Sequence, residues 1–100
     1  MTPAPDRLPY RVRFGSRIPR LFGRDAVTLR RTIHVRKHSI TPRLLAHEYC
    51  HVEQWAREGA VKFLCKYLWY QVRWGYHSNP YEHAAHLYAT AHAHEFRGVP

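Results

Sequence analysis

Cysteine is scarce in this chain. Cys50 and Cys65 are the only two, too few for a disulfide framework. Both read as small reduced core residues, with a bridge between helices or a metal role as the alternatives. Long apolar runs are missing as well: the longest, Phe63 to Val72, is interrupted by Lys66 and Gln71. A membrane-spanning helix needs about 20 consecutive apolar residues, so none is expected. The opening Met-Thr-Pro-Ala-Pro-Asp has no basic segment leading into an apolar one. No secretory signal is read there, and a cytoplasmic location is expected.

Acidic residues are the third shortage. Seven Asp and Glu stand against sixteen Lys and Arg, a formal net charge of +9. Arginine is concentrated in the first half, from Arg7 to Arg43. Such a field would attract nucleic acid, anionic lipid or acidic polypeptides. A solvated, arginine-rich surface inherited from a GC-rich genome accounts for it equally well. Hydrophobic residues make up 45% and aromatics 14%, which is the composition of a globular chain and not of a disordered one. One hundred residues suffice for one small domain but not for a deep two-lobed cleft. A Pro-rich leader over residues 1–9 and a single domain over 10–100 are expected.

What is present is more specific. Residues 47 to 51 read His-Glu-Tyr-Cys-His. On a helix, His47 and His51 stack on one face and can converge on one ion. Glu48 lies about 100° further round, off the ligand face but within reach of a water at that ion. With nine histidines, chance alone would produce the pattern in about 4% of shuffled chains, so its context matters. Thr41-Pro42 is an N-cap with proline at the first helical position, and Gly59 is a helix-ending glycine. Between them Leu44, Leu45, Val52 and Trp55 recur at helical spacing. The motif therefore sits in an independently delimited helix, about residues 42–58. Surface histidines on an amphipathic helix are the plain alternative.

A catalytic metal site needs a third protein ligand. Glu82, in Ser78-Asn79-Pro80-Tyr81-Glu82, opens another helix, expected over 80–97, with Asn79 as N-cap. The competing role is a capping box, in which Glu82 would bond the Asn79 backbone N–H. His83 or His86 would also be chemically suitable as third ligand.

His-Glu-Tyr-Cys-His followed some thirty residues later by Asn-Pro-Tyr-Glu resembles the gluzincin class of zinc metallopeptidases, and the chain's size resembles the minigluzincins. The likeness covers residues 26 to about 97. It implies a small zincin-like α+β domain, with a short antiparallel sheet followed by a motif helix, a connecting helix and a glutamate helix. It further implies Zn2+ held by His47, His51 and Glu82, with Glu48 as general base and acid in peptide-bond hydrolysis. Many gluzincins carry an aspartate four residues after the glutamate, supporting a zinc-bound histidine; here that place is His86. An additional oxyanion donor is usual in such enzymes, and Tyr76, His77, Tyr88 and His92 are available. Peptidases of this kind add an extended peptide or protein substrate to a sheet edge, for which Ile33 to Val35 is the expected strand. Two other functions stand beside this one. One is a non-catalytic, zinc-binding basic module that contacts nucleic acid or a protein. The other is a latent form of the peptidase, its own short tail, Gly98-Val99-Pro100, occupying the cleft.

The rest of the chain reads as follows. Tyr10 to Phe14 alternates apolar and basic residues as a strand. Residues 15–25 form a basic connector, and Ala26–Leu29 and Thr32–Arg36 form a hairpin around Arg30-Arg31. A connecting helix over about 60–74 carries apolar residues almost all round, so it is expected to be largely buried.

Overall fold

The computed structural model describes residues 7 to 98. Most of the expected leader, and Val99 and Pro100 of the tail, lie outside the described residues. The architecture is α+β: a three-stranded sheet against which helices pack. The strands are β1 (Arg11–Phe14), β2 (Ala26–Leu29) and β3 (Thr32–Val35), and the helices are α1 (Ile18–Leu21), α2 (Pro42–Glu58), α3 (Ala60–Trp74) and α4 (Pro80–His92). The last helix, expected over 80–97, ends as an α-helix at His92, and a 3-10 turn, Ala93–Phe96, closes the fold. No helix among the described residues is long and apolar enough to cross a membrane.

The sheet departs from the expected antiparallel arrangement. Its order is β1-β3-β2. β2 pairs antiparallel with β3 through the hairpin, whereas β1 runs parallel to β3, Val12 opposite Ile33. Parallel pairing requires a long crossover, and residues 15–31 provide it; they include β2 and a short helix, α1, where only a connector was expected. As a result Ile33 to Val35 is central, not an edge, and β2 is the edge that faces α2. The hairpin turn closes without glycine because Arg30 adopts φ 58°, a left-handed conformation that costs a non-glycine residue about 1–2 kcal/mol.

α2 is the central element. Thr41 caps it, its side chain accepting from the Leu44 N–H at 3.1 Å, and Gly59 ends it at φ 83°. Leu45, Tyr49 and Val52 are fully buried with Ile33 and Val35 of β3, Ala89 of α4 and Phe96 of the closing turn. Arg7 and Leu8 are tied to the same region. The Arg7 guanidinium lies 4.1 Å from the Phe96 ring centroid, and the Leu8 N–H donates to the Tyr49 hydroxyl at 2.8 Å.

α3 corrects a second expectation, that of a largely buried helix. Of its residues only Phe63 is buried, while Val61, Leu64, Leu68, Trp69 and Val72 are exposed. Phe63, Tyr67 and Tyr70 turn inward on Trp55 and Tyr81. Among the described residues no element covers the other side. Cys65 is exposed on that outer side and Cys50 is buried in α2, so the two thiols are free and Cys65 is no core residue. Burial pushes the Cys50 thiol up to about 12.

Candidate metal centre

The helical repeat sets His47 and His51 side by side on α2, ring centroids 5.1 Å apart and close to perpendicular. α4 crosses α2 and brings Glu82 to them. One carboxylate oxygen, Oε1, lies 3.0 Å from His47 Nε2 and 3.1 Å from His51 Nε2. Ligand atoms of His47, His51 and Glu82 all fall within 4.8 Å of one another, the one such group of His, Cys, Asp or Glu among the described residues.

Glu82 reaches this point because it is not used as a cap. Asn79 caps α4 alone, its Oδ1 accepting from the Tyr81 N–H at 3.0 Å, and its backbone N–H donates to the Tyr76 carbonyl. The capping-box role is therefore absent. His83 and His86 point away from the cluster: both are exposed, and His86 Nδ1 sits 3.3 Å from the Arg43 guanidinium.

The second oxygen of Glu82, Oε2, accepts from Arg24 Nη1 at 3.0 Å and from the Tyr67 hydroxyl. Arg24 in turn lies over Tyr76, its guanidinium carbon 4.0 Å from the ring centroid. The carboxylate is thus pinned on one oxygen, with the other aimed between the two imidazoles. Burial by itself would raise its pKa, but hydrogen bonds from His47 and His51, the His51 charge and the Tyr67 hydroxyl hold Glu82 far below the usual carboxylate range.

Gln54 decides the state of His51. Its Nε2 donates to the Tyr81 carbonyl at 3.0 Å, which leaves Oε1 to face His51 Nδ1 at 2.8 Å. Nδ1 must therefore carry a proton. In a neutral His51, Nε2 then presents a lone pair to the Glu82 oxygen at 3.1 Å. Two acceptors at that distance need a proton or a cation between them. Without a metal ion a proton takes that role: burial would lower His51, but the Glu82 hydrogen bond and the Glu48 charge outweigh it and raise its pKa. Two imidazoles and a carboxylate, with the far nitrogen of one imidazole fixed by an amide oxygen, suit a zinc-like ion. The residues fit the group that the motif implies.

Glu48 is buried next to this cluster. Thr28 of β2 donates its hydroxyl to Glu48 Oε1 at 2.9 Å. Burial raises the Glu48 carboxyl, against the opposing effects of His51, His47 and the Thr28 hydrogen bond. The Thr28 carbonyl accepts from the Trp55 indole N–H at 3.2 Å, so the free edge of β2 is already engaged at that residue.

Glu48, His51 and Glu82 line a cavity of ≈ 220 Å³ whose other walls include Val27, Trp55 and Leu68. A more open cleft of ≈ 610 Å³ lies on the His47 side, bordered by Arg24, Tyr76 and His77. Of the four expected oxyanion donors, Tyr76 and His77 therefore border the site. Tyr88 and His92 do not: they stack on each other at 4.3 Å, Tyr88 against Tyr49 and His92 beside Glu95.

Four residues that shape the site escaped the sequence reading. Gln54 was accessible, three residues after His51 on the same helix and hence on the same face. Arg24, Thr28 and Tyr67 carry no such signal, because only the packing of α1's connector, β2 and α3 brings them in. No protein-family model matches the chain, and no curated protein or solved structure is detectably similar to it.

Proposed function

We propose that this protein is a zinc-dependent peptidase of gluzincin-like design, acting on peptide or protein substrates. The observation that carries the proposal is the convergence of His47, His51 and Glu82 beside a buried carboxylate, Glu48, that is no part of that ligand set. His47, His51 and Glu82 would hold the ion. Zinc, when bound, supplies Lewis acidity, polarising a carbonyl and making water acidic enough to react near neutral pH.

The remaining chemistry belongs to the chain. Glu48 accepts a proton from the attacking water and returns it to the leaving amine. Thr28 holds Oε1 of Glu48 in place by its hydroxyl. Burial raises the affinity of Glu48 for a proton, which suits a group that must take one up and give it back. Gln54, Arg24 and Tyr67 orient His51 and Glu82 and are positioning residues. Tyr76 and His77, at the border of the open cleft, are the groups placed to donate to a developing oxyanion. The free thiols Cys50 and Cys65 suit a reducing compartment such as the cytoplasm.

The test is hydrolysis of a mixed peptide library by zinc-loaded protein and its Glu48→Gln variant. General-base catalysis contributes about 10²–10⁴-fold. The variant is expected to lose at least about two orders of magnitude while binding zinc as before. An active wild type with an equally active Glu48→Gln variant refutes the mechanism. Zinc held tightly with no hydrolysis of any library member points to the non-catalytic, zinc-binding module or to the latent form of the peptidase.

A further inference from the structure

α3 divides its circumference into three. Phe63, Tyr67 and Tyr70 face the core. At about 100° per residue, Leu64, Leu68, Val61, Val72, Cys65 and Trp69 cover an outer arc of about 140°. Lys62, Arg73 and Lys66 follow in the next about 40°. The outer arc is solvent-facing: Val61 is 79% exposed, Trp69 61% and Val72 85%. Trp69 occupies the boundary between the apolar and basic arcs. Ala60–Trp74 contains no acidic residue.

The apolar surface continues past the helix. Phe22, 58% exposed, lines the same cavity as Leu64 and Leu68, and its neighbour Leu21 is 81% exposed. Isolated exposed apolar residues are ordinary, but a contiguous set of this size marks a contact surface.

From this surface we infer that α3, with Leu21 and Phe22, docks on the headgroup region of an anionic lipid bilayer. The inference does not rest on the peptidase reading. Charge complementarity selects the occupant. An apolar arc flanked by lysine and arginine, with tryptophan at the margin, is the pattern of a helix lying in a membrane interface. Protein interfaces are instead depleted in lysine around their apolar centre. The net charge of +9 draws the molecule to an anionic surface, and the apolar arc then enters the headgroup boundary. Since Leu64 and Leu68 also line the ≈ 220 Å³ cavity, docking sets that cavity's mouth at the lipid surface.

Co-sedimentation with vesicles tests this on the full chain. Binding is expected to mixed phosphatidylcholine–phosphatidylglycerol vesicles and to be far weaker to phosphatidylcholine alone. The double variant Trp69→Ser/Val72→Ser, both sites exposed, should bind at least about ten-fold more weakly with unchanged helicity. Lys62→Glu/Lys66→Glu should weaken binding to the anionic vesicles to a similar degree. Arg11→Glu/Arg13→Glu, on β1 at the opposite edge of the sheet, should have a much smaller effect. Failure to bind anionic vesicles overturns the inference, as does an equal loss from the β1 variant, which would reduce the effect to net charge. Dimerisation abolished by Trp69→Ser/Val72→Ser, without vesicle binding, would assign the face to a second copy of the chain.

Discussion

Gln54 Oε1 accepts a hydrogen bond from His51 Nδ1 at 2.8 Å, and the same amide is locked by donation to the Tyr81 carbonyl at 3.0 Å. A helix residue three places after the second motif histidine thereby fixes the tautomer of that histidine and ties it to the first turn of α4.

Replacing Gln54 should therefore act on the metal. Loss of a partner that orients a metal-bound histidine typically costs about 10–100-fold in affinity. Gln54→Leu is expected to weaken zinc binding by that factor, whereas Gln54→Glu, which keeps an acceptor oxygen, should bind more tightly than Gln54→Leu. Competition titration with a chromophoric chelator measures both. Equal zinc affinity for wild type and Gln54→Leu would show that His51 is oriented without Gln54.

Zinc should bind close to one ion per chain. Glu82→Ala should lower its affinity by at least about ten-fold, because the carboxylate is the only contribution of α4 to the cluster. His83→Ala and His86→Ala should change affinity little, since both side chains lie on the exposed side of α4. Elemental analysis of tag-free protein and metal titration of the three variants check this. Chains that stay empty after reconstitution with zinc would remove the site.

The β2–β3 turn offers a gain in stability. Arg30 holds φ 58°, where glycine carries no Cβ penalty and asparagine a reduced one. Arg30→Gly is expected to stabilise by about 0.5–1 kcal/mol, the relieved strain exceeding the added freedom of the unfolded chain. Urea unfolding with an unchanged slope would register it as a higher midpoint. A lower midpoint would show that the Arg30 side chain contributes more than its backbone costs.

Phe96 should be among the most sensitive core positions. It is fully buried against Tyr49, with the Arg7 guanidinium over its ring. Phe96→Ala should destabilise by about 3–5 kcal/mol, the usual cost of a large cavity in a core. This is a substantial part of the roughly 5–15 kcal/mol that a small domain possesses. A loss under about 1 kcal/mol, read from the same urea curves, would mean that the closing turn contributes little to the core.

Local chemistry made much of this protein legible from its residues alone. Thr41-Pro42, Gly59 and Asn79-Pro80 are short-range signals, and the helices they predict begin and end at Pro42–Glu58, Ala60–Trp74 and Pro80. The 3.6-residue repeat places His47 beside His51 whatever surrounds them. Choices between distant partners were not legible in that way. Whether Glu82 caps its own helix or faces α2 depends on the crossing of α4 over α2, because one carboxylate can serve either set of donors. The parallel pairing of β1 with β3 depends on the path of a crossover, which strand propensity does not encode. α3 has two apolar sides, and its residues do not say which one meets the core; the position of Trp55 and Tyr81 decides it. Arg24, Thr28 and Tyr67 come to Glu82 and Glu48 from three separate segments. Short-range geometry is written in neighbouring residues, whereas the alignment of those segments is set by packing a limited apolar surface around α2, and only the folded chain determines it.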